Sequence, residues 1–214
     1  VRAALNAGPT RRAAIRWLED SARAYGAELE VADLRWGLLP PELRLSGVRV
    51  ETGSIRAELQ RLQVSLAHVW LTRRTIELGT VAAGGVHVAL DGLPQREGGG
   101  ERSLKLRIRH LELDDVSFEG VNLPGRTALA FDDLRAAWTD DGLAARGYAE
   151  VPRIRFQIGR APAVEVAARA RYELAAEALD LATFQLTGDG LSLAGHGRVV
   201  AGRATAAVSG QLDV

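Results

Sequence analysis

Leu43-Arg44-Leu45-Ser46-Gly47-Val48-Arg49-Val50 decides how this chain reads. Apolar side chains fall at Leu43, Leu45, Val48 and Val50, with charged or small residues between them. Alternation at period two marks a strand with one apolar face. Here the alternation slips by one residue after Leu45. A slip turns the second half of a strand over unless an extra residue is taken up. A β-bulge takes it up, bending the strand and raising its twist.

The same spacing surrounds this octet. Leu29-Val31-Leu34-Trp36 precedes it, and Ala57-Leu59-Leu62-Val64 follows. Ile76-Leu78-Val81 repeats it with a weak fourth position. Later copies are Leu111-Leu113-Val116-Phe118, Leu129-Phe131-Leu134-Ala136 (extended by Trp138) and Leu179-Leu181-Phe184-Leu186. Chance is the rival explanation in a chain that is 47% hydrophobic. Against it, the copies sit at strand-like intervals with charged residues at most intervening positions. A unit repeated along a chain predicts a quasi-one-dimensional architecture in which each unit packs on its neighbours. The expected fold is mostly β: long, bent antiparallel strands lying side by side with one apolar, concave face.

One helix is expected before the strands. Thr10 is the expected N-cap, Ala14, Trp17, Leu18, Ala22 and Tyr25 follow at helical spacing, and Gly26 is the stop. Arg11, Arg12, Arg16 and Arg23 lie on its outer face, and arginines in the first turn oppose the helix dipole. Solvent with Glu19 or Asp20 would compensate them; anionic lipid headgroups are the alternative. Residues 1–27 thus form an N-terminal segment with a helix, and 28–214 a repeating β unit that is expected to continue beyond the last residue.

Pro40-Pro41 separates the first two strands, and Thr52-Gly53-Ser54 is read as a hairpin turn. Leu71–Arg74 is the next connection. Ala83-Gly84-Gly85 is expected to interrupt the fourth strand, and 91–103 is expected to be the longest, mobile loop. Further strands are expected over 104–118, 128–138, 144–151, 153–158, 164–174, 179–186, 191–193 and 199–208.

Charge is balanced, with 27 basic and 27 acidic residues, so nucleic acid is not an expected partner. Cysteine is absent, which excludes disulfides and thiolate chemistry. Methionine is absent even at position 1, so the chain is expected to be part of a longer one. No window reaches the ~20 apolar residues of a membrane span. His68, His87, His110 and His196 are scattered, so no metal site is expected. Asp114-Asp115, Asp132-Asp133 and Asp140-Asp141 sit at slips or in a turn, where Asp serves the backbone. No phosphate-loop, nucleophile-elbow or other catalytic motif is present, so no enzyme and no cofactor are expected. A sheet with one apolar face must pack on a second sheet, close into a barrel, or stay partly open over something apolar.

The run Gly26–Trp36, with Trp36-Gly37-Leu38-Leu39-Pro40 and Leu43–Val50, resembles the start of the AsmA-like/TamB family of diderm bacteria. The resemblance covers roughly residues 10–120 and the rest only in style. It implies a twisted, partly open β-groove with an apolar interior, in the periplasm and tethered to the inner membrane by an anchor upstream. It further implies transport of phospholipid acyl chains between the membranes, with an outer-membrane protein as a possible partner. The implied wall is Leu29, Val31, Leu34, Trp36, Leu43, Leu45, Val48, Val50, Leu59, Leu62, Val64, Ile76, Leu78, Leu106, Ile108, Leu111, Leu113, Val116 and Phe118. The competing expectations are a closed β-sandwich or solenoid without lipid, and an assembly factor for outer-membrane proteins.

Overall fold

The computed structural model describes residues 7–24, 26–38, 41–70, 75–92, 105–124, 127–141, 144–175, 178–200 and 203–212. Helix α1 spans Gly8–Ala24. Eleven strands follow: β1 Glu28–Leu38, β2 Pro41–Thr52, β3 Ile55–Trp70, β4 Thr75–Asp91, β5 Lys105–Leu123, β6 Thr127–Asp140, β7 Ala144–Ile158, β8 Val164–Ala175, β9 Ala178–Gly188, β10 Leu191–Val200 and β11 Arg203–Leu212. They form a single sheet whose spatial order is the chain order, β1 to β11. The sheet is open, since β1 and β11 lie at opposite ends of that order. Each strand packs on its sequence neighbours, and α1 packs on β1. The described residues make one sheet and one helix, and the helix lies against its first strand.

One pairing departs from the expected all-antiparallel arrangement. β4 and β5 run parallel, in register from Thr75↔Lys105 to Asp91↔Val121. Parallel neighbours need a crossover of a dozen or more residues. The connection between β4 and β5 is the one long enough to supply it. Residues 93–104, most of the expected mobile loop, lie outside the described residues, as do 71–74.

The slips are arranged more strictly than isolated bulges would be. Val31↔Val48 and Asp33↔Ser46 keep one register across the β1 slip, as do Ser46↔Arg61 and Val48↔Leu59 across the β2 slip. Leu59↔Val86 with Arg61↔Gly84, and Gly84↔Asp114 with Val86↔Val116, carry it to β5. Each neighbour slips at the same level, so no strand gains a residue on the next. Ala32, Gly47, Gln60, Gly85 and Asp115 therefore form one continuous crease over β1–β5; between β5 and β6 the register shifts at Leu113/Val116 and again at Val116/Phe118, with Asp133 on the β6 side. Gly47, Gly85, Asp115 and Asp133 have φ of 58°, 61°, 54° and 56°. A left-handed residue is one way to absorb the phase change, and Gly and Asp tolerate it best. Between β5 and β6 the register does shift at the slip, whereas over β1–β5 the crease corrects the reading of each slip as a separate bulge. It also corrects the expected break at Ala83-Gly84-Gly85, because β4 runs through it.

A true bulge occurs at the other end of β3 and β4, where Val64↔Val81 gives way to Leu66↔Leu78. The extra residue leaves the Thr80 amide without a ladder partner, and it donates to Ser65 Oγ at 2.6 Å.

Other boundaries also move. The helix begins at Gly8, so Thr10 is not its cap but lies in its first turn. Residues 144–158 make one strand through Pro152, which interrupts the β8 ladder between Val151 and Ile154. The expected strand over 199–208 is divided between β10 and β11. Arg11 is compensated by Asp33 of β1 at 2.9 Å, and neither by Glu19 nor by Asp20.

Candidate functional site

The register aligns the apolar positions into rows across the sheet. The first row runs Leu29, Val50, Ala57, Val88, Phe118, Phe131, Ile154, Val166, Gly188, Leu191, Leu212. The second runs Val31, Val48, Leu59, Val86, Val116, Leu134 and resumes at Val151, Ala168, Leu186, Leu193. Beyond the crease, the third runs Leu34, Leu45, Leu62, Ala83, Leu113, Ala136, Ala149, Ala170, Phe184, Gly195, Val208. The fourth runs Trp36, Leu43, Val64, Val81, Leu111, Trp138, Gly147, Tyr172, Leu181, Gly197, Ala206. Every residue in the four rows is aliphatic, aromatic or glycine.

Exposure follows the slipped phase. Glu30, Arg35, Arg44, Arg49, Glu112, Glu119 and Arg135 are exposed, and the row residues beside them are buried or half-buried. The two halves of each creased strand therefore present their apolar side chains on one face. Of the implied wall, Leu29 to Val64, Leu111, Leu113, Val116 and Phe118 lie in these rows, and Leu78 and Ile108 pair with each other beyond the β3–β4 bulge. Ile76 and Leu106 pair with each other across β4 and β5, and their side chains lie outside the described ones.

The most buried row residues lie mainly in the second and third rows, with Val166 of the first at 6% exposed. Val31, Val48, Val116 and Val151 of the second row are 8%, 5%, 9% and 9% exposed, and Leu34 of the third is fully buried. Leu34 and Val31 lie on β1, the strand that α1 packs against. Farther from the helix most row residues are half-buried.

The rows extend beyond the implied wall. Phe118 stacks on Phe131 of β6, with ring centroids 5.3 Å apart and planes inclined by 19°. The copies of the pattern at 129–136 and 179–186 were the signal for this half. In β7–β11 the rows thin to Ala and Gly, and aromatic rings fill some of the space. Tyr172 pairs with Gly147 and Phe184 with Gly195. A Cβ on Gly195 would stand 2.8 Å from the Phe184 ring. Burial pushes the Tyr172 phenol above its ordinary range.

The opposite face is a lattice of ion pairs. Arg49 bridges Glu58 at 2.9 Å and Glu30 at 3.7 Å, linking β1, β2 and β3. Arg107–Asp140, Arg146–Glu173 and Arg169–Glu150 do the same farther along, at 2.9, 2.9 and 2.8 Å. Hydrogen bonds from Arg56 and Arg146 hold the Glu51 and Glu173 carboxyls below their usual range. Exposed pairs of this kind contribute only about 0–1 kcal/mol each. Their main effect is to keep this face in water. Glu77 is the exception, 8% exposed and bound to Arg109 at 2.6 Å.

Among the described residues the histidines make only isolated contacts. His87 contacts Ser117 Oγ at 2.9 Å and His110 contacts Thr139 Oγ1 at 3.0 Å, both cross-strand. His196 is exposed, and the His68 side chain lies outside the described ones. Among the described residues no group of three or more His, Cys, Asp or Glu is placed to hold a metal ion. A depression of about 710 Å³ crosses β7–β10, lined by Tyr148, Glu150, Arg169 and Arg171 together with Ala149, Ala170, Phe184 and Gly195 of the third row. No helix among the described residues is long and apolar enough to cross a membrane.

No protein-family model and no curated protein matches this chain. Function must therefore be argued from the two faces of the sheet.

Proposed function

We propose that this chain is part of a non-enzymatic lipid conduit. Its apolar face forms the interior of a partly open groove that shields phospholipid acyl chains while the headgroups stay in water. In the AsmA-like/TamB reading, the groove lies in the periplasm of a diderm bacterium, tethered to the inner membrane, and carries lipid between the two membranes. One observation carries the proposal: apolar rows run across the eleven strands of one open sheet, and among the described residues the single helix, α1, packs on it at β1. An apolar face of this length left to water is costly, and each methylene buried against it gains ~0.8 kcal/mol. A wall of aliphatic rows without polar anchors lets a chain slide along the rows at nearly constant free energy.

The test is native mass spectrometry, with lipid extraction, on the chain purified from a diderm host. Co-purifying phospholipid that disappears in Leu45→Arg or Val64→Asp, with the fold retained, supports the conduit. A stable, lipid-free chain, or complete unfolding of both variants, means that the apolar face is an ordinary dry core.

A second reading is an assembly factor for outer-membrane proteins. It is favoured by β11, which pairs with β10 alone among the described strands and so leaves one edge for an incoming strand.

A further inference from the structure

Helix α1 packs on β1 with one face and turns the other outward. The outward face carries Arg12, Arg16, Trp17, Asp20 and Arg23, all exposed. Trp17 is 68% exposed. Two of the helix's charged neighbours are already satisfied: Arg11 binds Asp33, and Arg23 binds Asp20 at 2.7 Å. Arg12 and Arg16 form no ion pair among the described residues. The first turn also holds no acidic residue, so Arg12 sits where the helix dipole is already positive.

An exposed indole sharing the outward half of a helix with two uncompensated guanidinium groups, both to one side of it, has a specific physical complement. Indole rings partition to the headgroup level of a bilayer, and arginine near an anionic leaflet is attracted by its surface potential. A protein groove is a poorer match, because helix-in-groove recognition needs apolar anchors at i, i+3, i+4 and i+7. Trp17 has no such companions here: the outward positions one turn away are Ala13 and Asp20. We infer that this face of α1 seats flat on an anionic phospholipid surface, at the β1 end of the sheet. The contact is shallow, two charges and one ring, and it stands independently of the acyl-chain conduit.

The test uses the whole chain with phosphatidylcholine vesicles, with and without phosphatidylglycerol, read by co-sedimentation. Binding is expected only to the anionic vesicles and is expected to weaken as salt rises. Each arginine near such a surface contributes about a fivefold gain in partition. Arg12→Glu combined with Arg16→Glu therefore lowers binding more than tenfold, with unchanged circular dichroism. Trp17→Ser lowers it less and removes the vesicle-induced blue shift of tryptophan emission. Equal partition of the doubly reversed variant, or no wild-type binding at low salt, overturns the inference. Leu45→Arg is expected to bind vesicles as wild type does, which separates surface seating from lipid uptake.

Discussion

Gly85 of β4 and Asp115 of β5 stand at the same level of two parallel strands, and both have left-handed backbones, with φ of 61° and 54°. The pairs Gly84↔Asp114 and Val86↔Val116 hold them there from either side. A phase change in one strand would throw its neighbour out of register. Placed at the same level in both, it leaves every apolar row intact. The crease is thus a shared property of neighbouring strands, and disturbing it in one strand disturbs the rows across several.

Gly85→Ala is therefore expected to be strongly destabilising. A Cβ there would meet the Gln60 side chain at 2.4 Å, on top of the cost of a left-handed alanine. Strain at such positions costs about 1–3 kcal/mol. Asp115→Gly removes strain while adding chain entropy, and is expected within about 1 kcal/mol of wild type. Urea unfolding of both variants checks this. If Gly85→Ala unfolds at the wild-type midpoint, the crease does not depend on that backbone conformation.

The β3–β4 bulge depends on one hydroxyl. Ser65 Oγ accepts the Thr80 amide at 2.6 Å, and both residues are half-buried. Ser65→Ala strands that amide and is expected to cost about 1–3 kcal/mol. Ser65→Thr keeps the oxygen and should recover part of the loss. Amide hydrogen exchange at Thr80 gives the sharper reading: protection falls in the alanine variant, and unchanged protection would mean that water replaces the hydroxyl.

Glu77 is the buried member of its ion pair, 11% exposed at the side chain against 52% for Arg109. Removing one partner of a buried pair is costly because the other charge stays behind. Here Arg109 reaches water and Glu77 does not. Arg109→Leu and Glu77→Gln each break the pair and are both expected to destabilise the sheet. A double-mutant cycle on the two positions should return a coupling of about 1–3 kcal/mol; additivity would show that the pair is idle.

The strands were legible because the apolar spacing repeats, and the octet at 43–50 already contained the crease. What the spacing could not reveal was that neighbouring slips coincide, since a single strand's pattern carries no information about its partner's register. Glycine at 84–85 reads as a breaker in one dimension. In the sheet it is the residue that lets β4 stay continuous. The parallel β4–β5 pair was hidden for a similar reason, because Ile76–Val88 and Leu106–Phe118 carry one pattern and strand direction leaves no mark on alternation. In β7–β11, Ala149, Ala170 and Gly195 are too small to signal a wall, yet they extend the third row toward β11. The satisfied partner of Arg11 was equally invisible, since Asp33 lies on another element.

Asp33 links the helix to the sheet in a pH-dependent way. Burial favours its neutral form, but the hydrogen bond from Arg35 and the charges of Arg11 and Arg35 outweigh it and hold the carboxyl below its ordinary value. A group whose folded pKa is depressed stabilises the fold above its unfolded pKa and loses that contribution as pH falls through the folded one. The stability difference between wild type and Asp33→Asn should therefore be constant near neutrality. It should shrink once the pH drops below about 4, the ordinary range of an aspartate. Paired urea titrations across that interval decide it, and a difference that persists at the acid end would assign the effect to packing instead of charge.

Glu112 and Leu113 are neighbours in β5 that face opposite ways, Glu112 exposed and Leu113 half-buried in the third row beside Ala83 and Ala136. They offer a test of the conduit that needs no knowledge of the lipid. A charge at 113 faces the proposed acyl path, whereas a charge change at 112 meets only water and the ion-pair face. Leu113→Glu is expected to reduce co-purifying phospholipid severalfold. Its fold should survive, because Leu113 is only half-buried. Glu112→Ala should leave lipid occupancy unchanged and move stability by less than about 0.5 kcal/mol. Equal lipid loss in both variants would place the lipid on neither face in particular. Unfolding of Leu113→Glu with Glu112→Ala intact would instead mark the apolar rows as a dry core.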